Sequence, residues 1–196
     1  MTAQISDIFR FKNKQFDMAG ISEGRIFEPE DIQLTPRASC TACWRGYQAH
    51  YAVTGDRLIL DELHINLHLE DEKGQRILGP PINGRMPTGS KEEYDFFDNF
   101  YRKLDYQLPY TGGILLADGF IRDLYVHMGF HPAWKYETVY ELIFEDGNLV
   151  VEKDCSAEMA EFRNEFIEAS KSGNSQMTNK EVEEFVSRAF DRSYTR

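Results

Sequence analysis

Two cysteines and two histidines in the first half of the chain are residue types that bind zinc. Cys40 and Cys43 form a C-x-x-C pair, and His64 and His68 follow it. Two thiolates and two imidazoles can complete a tetrahedral site, but residues 64–68 alternate as a strand, which would hold the histidines about 13 Å apart. We therefore expect no metal site and no cofactor, and we interpret the cysteines as buried thiols. The fold decides whether the four side chains approach one another.

The densest cluster of recognition-type residues comes directly after Cys43. Trp44 and Tyr47 are rigid aromatic side chains, and Arg45 can stack on a ring or bind a carboxylate through two hydrogen bonds. These three residues are candidates for binding a ligand or a partner. The structural alternative, which we favour, is the start of a strand in which Trp44 belongs to the core and Gly46 allows close packing.

Two histidines and a tryptophan form a second candidate binding site. His127 and His131 flank a short turn, and Trp134 follows. They could line a pocket, and a histidine could activate Ser39, Thr41 or a cysteine if the fold brought one alongside. A structural role is the commoner one for such histidines. We name no catalytic residue, because the chain has no Walker loop, dinucleotide-binding glycine pattern, H-E-x-x-H or G-x-S-x-G motif.

The elements that must position these residues are predicted to be antiparallel hairpins. Residues 8–18 predict an opening hairpin. Residues 47–53 alternate as a strand with one buried face, and Gly55-Asp56 supplies a tight reversal. The returning strand changes its phase part-way along, which predicts a β-bulge near Asp61-Glu62.

A further hairpin is predicted in the C-terminal half. Residues 136–144 alternate, Asp146-Gly147 turns the chain, and residues 149–151 lead back. The preceding segment, 114–128, predicts strands that are broken at Asp118-Gly119. This hairpin and the one at residues 47–60 share their spacing, which either a duplicated hairpin unit or the common pattern of amphipathic hairpins explains.

Three helices are also predicted. Residues 90–93 have the spacing of a capping box, and an apolar stripe with helical spacing follows, which predicts a helix over about 91–104. Ser156 begins a second helix that runs to about residue 171, and a capping box at 178–181 begins a third. Together with the hairpins, these helices complete the list of predicted elements.

The predicted fold class is α+β: mainly antiparallel β-hairpins, with one mid-chain helix and two C-terminal helices. We divide the chain into a β-rich domain at 1–155, which contains the mid-chain helix, and a helical segment at 156–196 packed on it. Hydrophobic residues make up 41% of the chain and aromatic residues 13%, which is enough for a packed core.

The chain is strongly acidic. It has 22 Lys and Arg against 33 Asp and Glu, a formal net charge of −11. A phosphate backbone would be repelled, so we expect no nucleic-acid partner and favour a basic protein partner. The sequence has no signal-peptide pattern at its start, no apolar run of membrane length and three cysteines that fit a reducing compartment, so we expect a cytoplasmic protein without a membrane partner. The oligomeric state stays open.

The segment around the W-R-G-Y motif carries one resemblance. Residues 43–47 run into Gly55-Asp56-Arg57-Leu58-Ile59-Leu60, and Phe9–Met18 precede them. This combination resembles a loosely defined set of uncharacterised bacterial proteins that share a W-R-G-Y start to a hairpin. The set has no established activity, so the resemblance implies an intracellular, bacterial, β-rich protein and assigns no catalytic residue.

These observations support two hypotheses of function. The first is a non-catalytic intracellular binding protein, an immunity- or adaptor-like partner of a basic protein, as the acidity and the missing catalytic motifs suggest. The alternative is an enzyme or small-ligand-binding protein with an aromatic-lined cavity, suggested by 14 Phe, 10 Tyr and 2 Trp. We favour the first, and whether the chain is an enzyme stays open.

Overall fold

The computed structural model describes residues 3–38, 40–90, 95–125 and 130–172. Within these ranges the chain forms nine β-strands, one α-helix and three short 3₁₀ turns. The strands are β1 (Ile8–Phe11), β2 (Lys14–Ile21), β3 (Tyr47–Thr54), β4 (Arg57–Ile65), β5 (Asn99–Tyr101), β6 (Tyr106–Gln107), β7 (Gly112–Phe120), β8 (Tyr136–Glu145) and β9 (Asn148–Asp154). The helix α1 is Ser156–Ser172, and the 3₁₀ turns are Pro29–Ile32, Arg122–Leu124 and Ala133–Lys135.

Seven of these strands close into a β-barrel. Their order is β3-β1-β2-β7-β8-β9-β4, and the pairing of β4 with β3 completes the ring. Neighbouring strands are antiparallel except β1 and β3, which are parallel. β4 meets β9 through a single register pair, Arg57 with Asn148, and then pairs with β6 and β5 along the same edge.

The predicted α+β fold class is therefore wrong, because the described chain is mostly β. Alternation along each strand shows that one face is buried, but it does not show whether the strands curl into a ring or lie open under helices. The ring depends on contacts between distant segments, namely the parallel β1–β3 pair and the β2–β7 pair.

Two apolar cores stabilise this arrangement. The main core fills the barrel, and its fully buried members include Phe9, Leu58, Leu60, Leu63, Ile65, Ile114, Leu116, Leu142 and Phe144. A smaller core lies on the other face of β7 and β8, where Leu115, Ala117 and Val139 pack with Cys155 and with Met159 of α1. Both faces of β7 and β8 therefore carry apolar residues. The helix packs against the outer face.

The predicted hairpins are confirmed. Lys12 and Asn13 both have positive φ angles, of 48° and 61°, at the turn between β1 and β2. This geometry is that of a type I′ turn, whose twist matches the twist of the paired strands. Positive φ angles also occur at Gly55, between β3 and β4, and at Asp146 and Gly147, between β8 and β9.

The predicted β-bulge is also confirmed, and it lies in β4. Tyr51 pairs with Leu60, but its neighbour His50 pairs with Glu62, so Asp61 is the extra residue. The extra residue reverses the phase of every later side chain on β4. The apolar residues on both sides of the bulge therefore reach the barrel interior, and the polar residues after it face outward.

The predicted mid-chain helix is wrong over its described part. Asn99–Tyr101 forms β5 and pairs with β4, and residues 91–94 lie outside the described residues. Three apolar residues with the predicted helical spacing are buried, but outside any helix: Phe97, Tyr101 and Leu104. The polar residues between them explain the difference, because Asp98 accepts the backbone N–H groups of residues 67 and 68 and Asn99 accepts that of Gly79.

The C-terminal predictions have mixed outcomes. The helix that begins at Ser156 is confirmed, whereas the helix predicted from 178 lies outside the described residues. The predicted break at Asp118-Gly119 is wrong, because β7 continues through it with Asp118 paired to Thr138. Among the described residues, no helix has the length and apolar character needed to cross a membrane.

Candidate functional sites

The W-R-G-Y segment is joined to the start of the chain by a buried ion pair. Arg45 donates from Nη1 to Oδ2 of Asp7 at 2.9 Å and from Nη2 to Oδ1 at 2.8 Å. Asp7 is only 3% exposed, and its Oδ1 also accepts the backbone N–H of Ala49 at 3.0 Å. Burial alone would lower the pKa of Arg45, but the hydrogen-bonded carboxylate raises it above its ordinary value. The Arg45 guanidinium is thus engaged within the chain.

Close packing also explains the glycine of this segment. Gly46 has a φ of +72°, and a Cβ there would lie 2.2 Å from the backbone oxygen of Arg37. The ring of Tyr47 is buried 4.7 Å from the Arg45 guanidinium carbon, and burial raises the pKa of Tyr47 to about 12. Trp44, expected in the core under the structural alternative, is instead 53% exposed.

The second predicted site lies next to the same segment. The guanidinium of Arg45 is 5.6 Å from the ring of Phe130, the residue before His131. The His131 ring packs 4.6 Å from Phe120 and 5.3 Å from Tyr125. His127 lies outside the described residues. The structure therefore brings Arg45 and the segment of His131 together, although the two are far apart in sequence.

The polar groups of this second site are buried. Trp134 is covered by Phe162 of α1, and the Lys135 ammonium lies 5.3 Å from its ring. Burial, and secondly Lys135, lowers the pKa of His131 to about 4, and burial lowers the pKa of Lys135. Neither ring nitrogen of His131 makes a hydrogen bond within the described part of the chain. Trp134 thus packs next to α1, and His131 packs on the two aromatic rings.

A third cluster, which the sequence did not single out, lies on the outer face of β3 and β4. Its members are His50, Glu62 and His64, each partly buried, with one ligand atom of each within 4.8 Å of the others. The imidazole rings are 4.4 Å apart, and Nε2 of His64 lies 3.3 Å from Oε2 of Glu62. This set of side chains is called the histidine cluster below.

The surroundings of the histidine cluster lower the pKa of both imidazoles. Burial, and secondly His64, lowers the pKa of His50 to about 4, and burial lowers the pKa of His64. The His64 ring packs on Phe100 at 4.9 Å and on Phe97 at 6.1 Å. The other ring, that of His50, has Nε2 3.3 Å from the Gln48 side-chain oxygen.

A surface cleft of about 370 Å³ borders the histidine cluster. His50 and Glu62 contribute to its wall, and the side chains of Arg10 and Lys14 lie on the same cleft. Arg10 is paired with Asp61, the residue of the β-bulge, at 2.6 Å. The cluster is therefore open to small molecules from one side.

The zinc set considered from the sequence does not assemble. Cys40, Cys43, His64 and His68 form no ligand group among the residues that the structure describes. Cys43 is buried and its thiol contacts the backbone oxygen of Tyr47 at 3.4 Å. β4 ends at Ile65, and His68 follows in a left-handed conformation with a φ of 49°.

A sequence signal for the histidine cluster did exist. The turn at Gly55 fixes the register of the hairpin, and the predicted bulge shifts that register by one residue beyond it. Together they place His50 opposite Glu62, with His64 two residues further along the same face. The register of the turn alone would place Asp61 opposite His50, so the bulge is needed to place Glu62 there.

Negative charge is concentrated on the C-terminal strands and helix. Residues 136–172 contain ten acidic and three basic residues, which gives −7 of the net −11. Two of the basic residues are engaged locally, since Lys153 binds Glu158 and Arg163 donates to backbone oxygens. The outward side chains of β8, β9, α1 and the turn between β8 and β9 are called the acidic surface below. Its exposed acidic members are Glu137, Glu145, Asp146, Glu158, Glu161 and Glu168.

Exposed apolar side chains accompany this charge. Val150 and Val151 of β9 and Phe162 of α1 are all exposed.

Comparisons of the chain with protein-family models, with curated proteins and with solved structures found no match. The resemblance to the bacterial W-R-G-Y set therefore stays a prediction.

Proposed function

We propose that this chain is a non-catalytic binding protein whose acidic surface binds a basic protein. The observation that carries the proposal is the charge distribution: residues 136–172 hold −7 of the net −11 in one strand–strand–helix unit. Charge of one sign on one part of a surface attracts a partner of opposite sign and orients it before contact. An immunity- or adaptor-like role fits such a surface.

Apolar residues within the acidic surface support a defined interface rather than diffuse attraction. Interfaces commonly combine a desolvated apolar centre with a polar rim. Val150, Val151 and Phe162 supply exposed apolar area, and Glu158 and Glu161 lie near Phe162 in the sequence of α1. A basic partner would contact the apolar side chains directly and place its cations on the surrounding carboxylates.

The partner is expected to bind side chains rather than add a strand to β9. The β8–β9 register shifts at Val150, and Glu152 is paired with the core residue Leu142, so its side chain lies on the inner face, where Lys12 binds it. Bulges and inward-facing charges both discourage an additional strand. The outward side chains thus remain as the binding surface.

We place this interaction in the cytoplasm. Cys40, Cys43 and Cys155 are free thiols, which fits a reducing compartment. The acidic surface also disfavours nucleic acid as the partner, because phosphates and carboxylates repel each other.

The test is recovery of the tagged full-length chain from its host cells over a range of salt concentrations. We expect a basic protein to be retained at low salt and released as the salt rises, since a Debye length of about 10 Å at 0.1 M shrinks to about 3 Å at 1 M. A triple variant, Glu145→Gln, Asp146→Asn and Glu161→Gln, should lose the partner.

The matched control removes the same charge elsewhere. Glu30→Gln, Glu70→Gln and Glu72→Gln alter three exposed acidic residues outside residues 136–172 and should keep the partner. Retention that ignores salt, or equal loss in both triple variants, would contradict the proposal.

A small-ligand-binding role is the second candidate. A cleft of about 600 Å³ is lined in part by Phe27, Tyr106 and Tyr110, and this volume is in the usual range for small-molecule sites. Three of its lining residues, Phe27, Leu108 and Tyr110, also belong to the main core, which supports the aromatic-lined cavity expected from the composition. A native mass spectrum of the chain from its host would show a bound small molecule, and the acidic-surface variants should not remove it.

A further inference from the structure

We propose that the histidine cluster is a binding site for a divalent transition-metal ion of the zinc class. The site consists of His50 on β3 with Glu62 and His64 on β4. It uses other strands than the acidic surface, so it does not depend on the proposed function. It also runs against the expectation of no metal site that the sequence alone supports.

The sheet register brings the three side chains together. His50 and Glu62 are direct cross-strand partners, and His64 follows Glu62 at the next position on the same face. The β-bulge at Asp61 is required for this arrangement, because without the extra residue the partner of His50 would be Asp61 itself. The site therefore rests on backbone pairing in the middle of a hairpin and not on flexible loops.

The distances between the ligand atoms are close to those that a metal ion requires. Ligands about 2.0–2.1 Å from a tetrahedral zinc ion lie about 3.3 Å from one another. Nε2 of His64 and Oε2 of Glu62 are already 3.3 Å apart, and all three ligand atoms lie within 4.8 Å of one another.

The types of ligand select the ion. Two imidazole nitrogens and one carboxylate oxygen suit zinc and neighbouring first-row ions, whereas magnesium and calcium prefer sites made of oxygen alone. The Gln48 side-chain oxygen beside His50 can hold that ring in place from outside the site. Three protein ligands leave one coordination position for water or a small anion, and the cleft lined by His50 and Glu62 gives access to it.

The neighbours of the cluster leave its ligand atoms facing one another. The Phe100 ring covers one side of His64, and the contact between His64 and Glu62 uses one nitrogen. The register places the second imidazole 4.4 Å from the first. Two imidazoles and one carboxylate therefore face a shared position for a cation.

The test is isothermal titration of the chelator-treated full-length chain with Zn²⁺, together with visible absorption after addition of Co²⁺. We expect one Zn²⁺ per chain, a higher melting temperature with Zn²⁺, and the absorption bands of a low-symmetry Co²⁺ site. His50→Gln and Glu62→Gln should each weaken Zn²⁺ binding by at least about tenfold, because a lost ligand costs no less than a lost outer-shell partner.

A matched control uses the neighbouring histidine. His68→Asn removes an exposed imidazole, and asparagine tolerates the left-handed conformation of that position. This variant should bind Zn²⁺ as the wild type does. Circular dichroism of every metal-free variant verifies that each remains folded.

The proposal is overturned if the wild type binds no Zn²⁺, or if His50→Gln and Glu62→Gln bind it as tightly as the wild type. It is equally overturned if a Cys40→Ser, Cys43→Ser variant abolishes binding, since the cysteine pair would then hold the ion. Loss of binding in the His50 and Glu62 variants alone supports it.

Discussion

The Arg45–Asp7 ion pair and the histidine cluster are two groups of polar side chains with different surroundings. Both place charged or titratable side chains beside β3. Arg45 and Asp7 satisfy each other through two short hydrogen bonds, and a backbone N–H adds a third to the carboxylate. The histidine cluster instead has two imidazoles and a carboxylate that converge on one another and border an open cleft.

This difference shows that residue type alone does not tell which side chains the fold brings together. Trp, Arg and Tyr in the W-R-G-Y segment are the types enriched in recognition surfaces, yet Arg45 and Tyr47 are used to join two parts of the chain. The less conspicuous His50, Glu62 and His64 converge on one face of the hairpin. The Arg45 guanidinium binds a buried carboxylate, whereas the histidine cluster borders a surface cleft.

The first prediction compares the two regions directly. Arg45→Ala should lower the free energy of unfolding by about 3 kcal/mol or more, because it leaves the Asp7 carboxylate buried without its cation. His50→Gln, measured with chelator present, should cost less than about 1 kcal/mol, since the side chain lies on the outer face. Urea unfolding followed by circular dichroism measures both. Equal costs for the two variants would show that the histidine cluster is structural as well.

The second prediction sharpens the structural side of the comparison. Gly46→Ala should destabilise the protein by more than about 2 kcal/mol, because left-handed strain of about 1 kcal/mol adds to a clash with the Arg37 backbone. Gly55 also has a positive φ, but nothing lies within 4 Å of a Cβ there. Gly55→Ala should therefore show the strain alone, about 1 kcal/mol. Thermal unfolding of both variants distinguishes these contributions, and identical losses would refute the role of close packing.

The third prediction concerns His131, which is partly buried. The pKa of His131 is about 4 in the folded chain, against an ordinary value of 6.5. As the pH falls from 6.5 to 4, the unfolded chain therefore takes up a proton that the folded chain does not. The free energy of unfolding should fall in this window by up to about 1.4 kcal/mol per pH unit from this group.

A His131→Phe variant isolates this contribution. Phenylalanine keeps a ring between Phe120 and Tyr125 and has no proton to exchange. The stability difference between variant and wild type, measured by urea unfolding, should grow as the pH falls toward 4 and be constant above pH 6.5. A difference that does not change with pH would mean that His131 titrates normally.

The hairpins could be predicted from sequence because their causes are local. Alternation defines the buried face of a strand, and turn residues define where the chain reverses. Even the bulge at Asp61 was predictable, since the apolar phase changes within a few residues. Barrel closure was not, because the β1–β3 and β2–β7 contacts join segments whose pairing leaves no trace in either one alone.

The mid-chain helix failed for a related reason. Helical spacing of apolar residues predicts burial on one side, and Phe97, Tyr101 and Leu104 are indeed buried. A short strand with irregular chain on either side buries them equally well beside β4. Asp98 and Asn99 accept hydrogen bonds from the backbone of distant loops. These tertiary contacts outweigh the local preference for a helix.

For the sites, the sequence indicated the W-R-G-Y residues as candidates, but it did not predict which residues they contact. Asp7 is 38 residues from Arg45, and nothing in either segment points to the other. The histidine cluster was easier to predict, because both of its strands belong to one hairpin.

The contact between β4 and β9 is the weakest between neighbouring strands of the barrel, and this affects where the barrel opens. Every other joint of the ring is made of at least three register pairs, whereas β4 and β9 share one. Local opening requires the least free energy where the fewest interactions are lost. We therefore expect the amide protons of β9 that face this gap to be the first of the ring to exchange with solvent, while β9 stays paired with β8.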